Sequence, residues 1–145
     1  MSDQEPNIGL VLIDDSFIDR TIVSKNMELF YPNRDMEYFI SATDALEALK
    51  ADTVLVGKDH CALLLDIHMP EMNGFSFVDA FGELPESVRN RFAIFMLSSS
   101  IDGGDMSKVE DRMLIKKFVS KPLNQEVLSN IFKWTLESYN ASREH

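Results

Sequence analysis

The chain has 145 residues, 45% of them hydrophobic and 26% charged, which is typical of one globular domain with a substantial core. Its formal net charge is −10, and residues 1–75 have 14 acidic against five basic side chains, which disfavours binding to nucleic acid through clustered Lys and Arg. An acidic start, a single cysteine and no apolar run near the roughly 20 residues of a membrane span predict a cytoplasmic domain without membrane insertion.

Apolar runs alternate with helical patterns along the first half of the chain. A strand is predicted at residues 8–13, and a second at 36–40. Between them lies a predicted helix that Pro32 ends. Thr43 or Asp44 is expected to cap the next helix. Residues 61–65 are all apolar, which predicts a third strand buried on both faces. The hydrophobic residues that predict the first helix are Ile18, Ile22, Val23, Met27 and Phe30.

The same alternation continues in the second half. Phe75, Val78 and Phe81 predict a third helix that closes near Gly82 and Pro85. A strand at 92–97, a helix from about 105 to 113, a strand at 115–119 and a closing helix follow. Five strands alternating with five helices predict a doubly wound α/β fold, with a parallel sheet covered by helices on both faces.

Polar side chains follow four of the predicted strands. Asp14 and Asp15 end the first strand, Asp66 the third, Ser98 the fourth and Lys121 the fifth. Because the carboxyl ends of parallel strands meet at one edge, we expect these side chains to converge. Carboxylates so close together need a cation, and Mg2+ prefers such oxygen ligands. The set suits phosphoryl transfer, with Asp66 as nucleophile and with Lys121 and Ser98 contacting phosphoryl oxygens.

Each of these residues has an ordinary explanation when it is taken alone. The pair Asp14 and Asp15 is more often part of a turn or a helix cap. Ser98 alone is typical of a loop, and Lys121 alone of a solvated surface. His68 has no His or Cys companion at a spacing that suits metal binding. Agreement among four strand ends is what favours a reactive centre.

The spaced motifs resemble the receiver domain of two-component response regulators. The matching segments are residues 12–15, 65–74, 97–99 and 118–122, with the sequences LIDD, LDIHMPEMNG, LSS and FVSKP. The likeness covers about residues 7–139, in one domain over residues 1–145. It implies a flavodoxin-like fold with five parallel strands in the order 2-1-3-4-5.

The resemblance also implies the acceptor and the metal ligands. It makes Asp66 the phosphoacceptor, with Mg2+ held by Asp14, Asp15, Asp66 and the main-chain carbonyl of His68. The side chain of His68 would overlook the water that attacks the acyl phosphate. We therefore expect His68 to influence how long the phosphorylated form lasts.

The residues implied to face the phosphoryl group are Ser98 and Lys121, with the backbone amides of Ile67 and Ser99. Phe118 takes the place of the aromatic switch residue. Ser98 replaces the commoner threonine and keeps the hydroxyl. Phe118 lacks the hydroxyl of a tyrosine and cannot form the hydrogen bond that such a hydroxyl would make. Its switching motion would therefore be rotation of the ring into a vacated pocket.

The implied function is a signalling switch rather than an enzyme. A sensor histidine kinase or a phosphotransfer protein would supply the phosphoryl group. A downstream protein would dock on the face formed by the fourth predicted helix, the fifth strand and the fifth predicted helix. One alternative is a receiver-like scaffold that works without phosphorylation. Another alternative is a Mg2+-dependent phosphatase. Such an enzyme usually has a second carboxylate at the position of His68, and it has a substrate cap, for which 145 residues leave no room.

Overall fold

A computed structural model describes residues 6–98, 107–109 and 112–143. Within these residues, five parallel strands form one sheet in the order β2-β1-β3-β4-β5. The strands are β1 (Ile8–Ile13), β2 (Met36–Phe39), β3 (His60–Asp66), β4 (Phe92–Ser98) and β5 (Ile115–Ser120). The helices with defined bounds are α1 (Phe17–Phe30), α2 (Ala42–Lys50), α3 (Gly74–Phe81), α4 (Glu86–Arg89) and α5 (Gln125–Ser142). The predicted α/β class and strand order are confirmed.

The three central strands are buried along their whole length, as parallel strands between two helical layers should be. Alternate residues of β3 point to opposite faces. Leu63 and Leu65 pack in a core with residues of α2 and α3, whereas Leu64 packs in a core with residues of α1 and α5. None of the helices in the described residues is long and apolar enough to cross a bilayer. This packing fixes the sheet and, with it, the positions of the strand ends.

Helix α1 forms where it was predicted, but most of its hydrophobic residues do not enter the core. Val23 and Met27 are buried, whereas Ile18, Ile22 and Phe30 are 70%, 38% and 41% exposed. Ile18 and Ile22 lie on a different side of the helix from Val23 and Met27, and Phe30 is the last helical residue. Periodicity therefore predicted the helix correctly and its buried face too broadly.

Three details of the helices differ from the prediction. The cap of α2 is Ser41, whose Oγ accepts from the Asp44 N–H at 3.1 Å, so the prediction of Thr43 or Asp44 was wrong. The short helix α4 was not predicted. Of the helix predicted at about 105–113, residues 107–109 are helical and 112–113 are not. Residues 105, 106, 110 and 111 lie outside the described residues.

His60 begins β3, at the end of the strand opposite to Asp66, and is 3% exposed. Its Nε2 lies 3.5 Å from Ser138 Oγ. Burial, with the nearby charges of Lys116 and Arg91, lowers the pKa of His60 from 6.5 to about 4. The imidazole is therefore neutral in the folded protein at neutral pH.

This pKa makes folding stability depend on pH. An unfolded His60 takes up its proton near pH 6.5 and the folded one near pH 4, so its stabilising contribution is complete above 6.5 and is lost as pH falls between these values. From about pH 7.5 to 5, the wild type should lose about 2 kcal/mol more unfolding free energy than His60→Gln. Urea unfolding of both proteins at both pH values measures the difference. Equal losses of unfolding free energy in the two proteins would show that burial does not shift the pKa of His60.

Candidate functional site

The register of the sheet brings the predicted polar residues to one edge. Ile13 of β1 pairs with Leu65 of β3, and Asp66 pairs with Leu97 of β4. Strand β5 continues this alignment, because Ser98 pairs with Ser120. Asp14 and Lys121 directly follow β1 and β5, so the strand ends that carry the polar side chains lie side by side.

Three carboxylates meet at this edge. One oxygen from each of Asp14, Asp15 and Asp66 lies within 4.8 Å of the other two. Asp14 and Asp66 are buried, whereas Asp15 is exposed. The predicted convergence of these carboxylates is confirmed.

Lys121 reaches into the cluster from the end of β5. Its Nζ lies 2.9 Å from Asp14 Oδ2 and 3.5 Å from Asp66 Oδ2. A third carboxylate, Asp19 Oδ2, lies at 2.6 Å. Asp19 was not among the residues predicted for this site, because its approach to Lys121 depends on how α1 packs against the sheet.

Asp14 takes part in the turn between β1 and α1 as well as in the cluster. Its Oδ1 accepts from the Ser16 N–H at 2.9 Å, and its carbonyl accepts from Arg20 Nη1 at 3.0 Å. The cap of α1 is Ser16, which accepts from the Asp19 N–H, and not either residue of the acidic pair. Among the described residues, Asp14 Oδ2 has no hydrogen bond of standard geometry, despite its close approach to Lys121. This oxygen is therefore held by the charge of the Lys121 ammonium.

Burial and charge shift the pKa values of the central residues. Burial raises the pKa of Asp66, and the charge of Lys121 opposes this shift. Burial by itself would lower the pKa of Lys121, but its hydrogen bond to Asp19 and the charges of Asp14 and Asp66 outweigh burial and hold the pKa above its usual range. The lysine is therefore protonated, and further positive charge would favour the ionised form of Asp66.

The donor set fits Mg2+. The three clustered carboxylates carry more negative charge than the single ammonium of Lys121 neutralises. Hard oxygen donors are the ligands that Mg2+ takes in proteins. The main-chain N–H of His68 donates a hydrogen bond to Asp66 Oδ1 at 3.3 Å. The role predicted for the His68 carbonyl stays a prediction.

The other residues predicted to face a phosphoryl group lie in different settings. Ser98 is buried at the end of β4, and Phe118 is half-buried on β5. The Ile67 N–H donates to the Leu97 carbonyl at 3.1 Å and is therefore already hydrogen-bonded to β4. The backbone amide that donates to the Asp66 carboxylate is that of His68. Ser99 lies outside the described residues. The roles of Ser98 and Phe118 stay predictions.

The turn after Asp66 returns tightly to the strand that it leaves. The Gly74 N–H donates to the Ile67 carbonyl at 2.9 Å, and Asn73 caps α3 by accepting from the Ser76 N–H. A Cβ at Gly74 would lie 2.8 Å from the Asp66 carbonyl oxygen and 3.0 Å from Ile67 Cα. The Met96 Cε atom would lie nearer still, at 2.7 Å. This position has no room for a side chain, because two of the three contacts are to backbone atoms of Asp66 and Ile67, which cannot move aside as a flexible side chain can.

Gly74→Ala should therefore lower the free energy of unfolding by about 2 kcal/mol, since the backbone beneath Asp66 must move to admit a methyl group. Gly82→Ala is the matched control. Its nearest contact would be 3.3 Å, and its φ of −62° suits any residue. We expect this control to cost less than about 1 kcal/mol. Urea unfolding measures both, and similar losses for the two variants would contradict the tight approach at Gly74.

The chain was compared with protein-family models, curated proteins and solved structures. No protein-family model matches the chain. A response regulator receiver protein from Dyadobacter fermentans, known from its crystal structure, is 30% identical in sequence to this chain. The match covers 88% of this chain and 96% of that one, with a TM-score of 0.76. A two-component response regulator from Cytophaga hutchinsonii is 25% identical, with 92% and 99% covered and a TM-score of 0.76.

A curated relative is the hybrid signal transduction histidine kinase L of Dictyostelium discoideum. It is 28% identical over 135 residues, which make up 90% of this chain. The chain spans about 8% of the length of that protein. The likeness is therefore to one segment of a much larger protein.

Proposed function

Because the chain belongs to the receiver family of response regulators, we propose that it accepts a phosphoryl group on Asp66 from a histidine kinase or a phosphotransfer protein. The observation that carries this proposal is the meeting of Asp14, Asp15, Asp66 and Lys121 at one edge of the sheet. A nucleophilic carboxylate, oxygen ligands for a divalent cation and a protonated amine are the groups that phosphoryl transfer to a carboxylate needs.

In the proposed step, an Asp66 carboxylate oxygen attacks the phosphorus of a phosphohistidine. The new O–P bond forms as the P–N bond breaks, and the imidazole leaves with the electron pair of that bond. When bound by Asp14, Asp15 and Asp66, Mg2+ supplies positive charge that neutralises phosphoryl oxygens. Lys121 supplies a second positive charge, and the Ser98 hydroxyl a hydrogen bond.

We further propose that phosphorylation changes a face that includes β5 and α5. Lys116 and Lys117 are exposed on β5, and the Lys117 ammonium lies 4.9 Å from the centre of the Trp134 ring on α5. Phe118 follows these lysines on the same strand and comes three residues before Lys121. A shift of Lys121 can therefore be transmitted along β5, and the exposed lysines suit an acidic partner.

Incubation with acetyl phosphate and Mg2+ tests the proposal against its alternatives. Mass spectrometry gives the phosphorylated fraction, and a phosphate assay gives the turnover. A receiver should take up one phosphoryl group per chain and release phosphate no faster than the acyl phosphate hydrolyses. Rapid turnover without a phosphorylated form would favour a phosphatase, and no labelling would favour a scaffold.

His68 provides a prediction about the lifetime of the phosphorylated form. His68 is exposed and comes two residues after Asp66, and an imidazole near the acyl phosphate can accept a proton from the attacking water. His68→Asn should slow loss of the phosphoryl group by about tenfold. The decay of the phosphorylated protein at several pH values measures this effect. His60→Gln is the control, because it removes a histidine from the other end of β3, and equal rates for all three proteins would rule out a role for His68.

A further inference from the structure

Asp19 holds Lys121 more closely than either of the other two carboxylates does. The distances from Lys121 Nζ are 2.6 Å to Asp19, 2.9 Å to Asp14 and 3.5 Å to Asp66, all measured to Oδ2. The bond between Asp19 and Lys121 joins the first turn of α1 to the end of β5. The ammonium group therefore lies nearer to α1 than to the proposed acceptor.

The surroundings of this ion pair make it stronger than an ordinary surface pair. The side chain of Lys121 is 14% exposed and that of Asp19 is 32% exposed. Ile22, Val23 and Pro122 line the same small pocket, so that apolar groups limit the access of water to the pair. Reduced screening by water strengthens an ion pair of this kind.

We propose that Asp19 is a positioning residue that competes with the phosphoryl group on Asp66 for Lys121. This inference rests on the function proposed above. A phosphoryl group on Asp66 offers the lysine new anionic oxygens, and the lysine must loosen its bond to Asp19 to reach them. Asp19 thus favours the unphosphorylated arrangement and weakens the binding of a phosphoryl group at Asp66.

A purely structural role for Asp19 predicts a different behaviour. An acidic residue in the first turn of a helix interacts favourably with the helix dipole, and its loss would lower the stability of α1. Such a role does not change how tightly Asp66 binds a phosphoryl analogue. The distinguishing measurement is therefore ligand affinity rather than stability.

The experiment measures beryllofluoride, a phosphoryl analogue, binding to the full chain at saturating Mg2+ by calorimetry. Asp19→Asn keeps the size of the side chain and removes its charge, and it should bind beryllofluoride about fivefold more tightly than the wild type. Glu28→Gln is the matched control, because it removes one charge from an exposed position near the other end of α1. We expect its affinity to equal that of the wild type.

A double-variant cycle distinguishes competition for the lysine from a general effect of charge. If Asp19 acts through Lys121, Asp19→Asn should not tighten binding in a Lys121→Met background. A gain that persists in that background, or no gain in the wild-type background, overturns the inference while leaving the proposed function intact. Failure of the wild type to bind beryllofluoride overturns the proposed function and this inference with it.

A second measurement serves if the double variant does not fold. Hydrogen exchange of the Lys121 ammonium, followed by NMR, should be faster in Asp19→Asn than in the wild type and in Glu28→Gln, because the 2.6 Å hydrogen bond is weakened. Equal exchange in all three proteins would contradict the hold of Asp19 on the lysine.

Discussion

Lys121→Met should lower the free energy of unfolding by about 4 kcal/mol in Mg2+-free buffer at neutral pH. The reason is that Asp14 and Asp66, whose side chains are 1% and 11% exposed, would lose the cation that lies within 3.5 Å of both. Buried carboxylates left without a positive partner cannot be compensated by water. Added Mg2+ should restore much of the lost stability, because it binds the folded protein at the same carboxylates.

Urea unfolding with and without Mg2+ measures both effects. Lys25→Met is the matched control, since Lys25 is exposed on α1 and lies 3.8 Å from the exposed Glu28. We expect it to change stability by less than about 0.5 kcal/mol. Lys121→Arg should retain most of the stability, because it keeps the charge. A Lys121→Met protein that is as stable as the wild type would show that the lysine does not neutralise the cluster.

Asp15→Asn should weaken Mg2+ binding by about 10- to 100-fold. Asp15 is exposed and takes part in the cluster through its carboxylate, so replacing it removes a charged ligand without leaving a buried gap. We expect a loss of this size because Mg2+ uses few protein ligands, and Asp15→Asn removes one charge-assisted contact to it. Calorimetric titration with MgCl2 measures the affinity.

Stability without Mg2+ separates this effect from misfolding. Asp15→Asn should be at least as stable as the wild type in Mg2+-free buffer, because it reduces repulsion among the carboxylates. Glu28→Gln is again the control, with the same change of charge at a site away from the cluster. An Asp15→Asn protein that binds Mg2+ as tightly as the wild type would place the metal elsewhere.

The positions of Asp14, Asp66 and Lys121 could be predicted because they depend on a simple property of parallel sheets. Apolar runs identify buried strands, and all parallel strands of one sheet present their carboxyl ends at the same edge. The polar residue at the end of each run is then placed to within about one residue. No detail of side-chain packing is needed for that inference.

Features that depend on tertiary packing could not be predicted in the same way. Asp19 reaches Lys121 because of the rotation of α1 against the sheet, which local sequence does not determine. The same rotation exposes Ile18. The cap at Ser41 lies only two residues before Thr43, within the usual uncertainty of helix ends. Helix α4 has four residues, too few to show a periodic pattern.

The most direct test of Asp66 as the phosphoacceptor is chemical mapping of the modified residue. The protein is treated with acetyl phosphate and Mg2+, and borohydride then reduces the acyl phosphate to the alcohol, which converts the modified aspartate to homoserine. Peptide mass spectrometry should find homoserine at position 66, and Asp66→Asn should give none. Homoserine at position 14, 15 or 19, or a stable phosphate on Ser98, would contradict the assignment of Asp66.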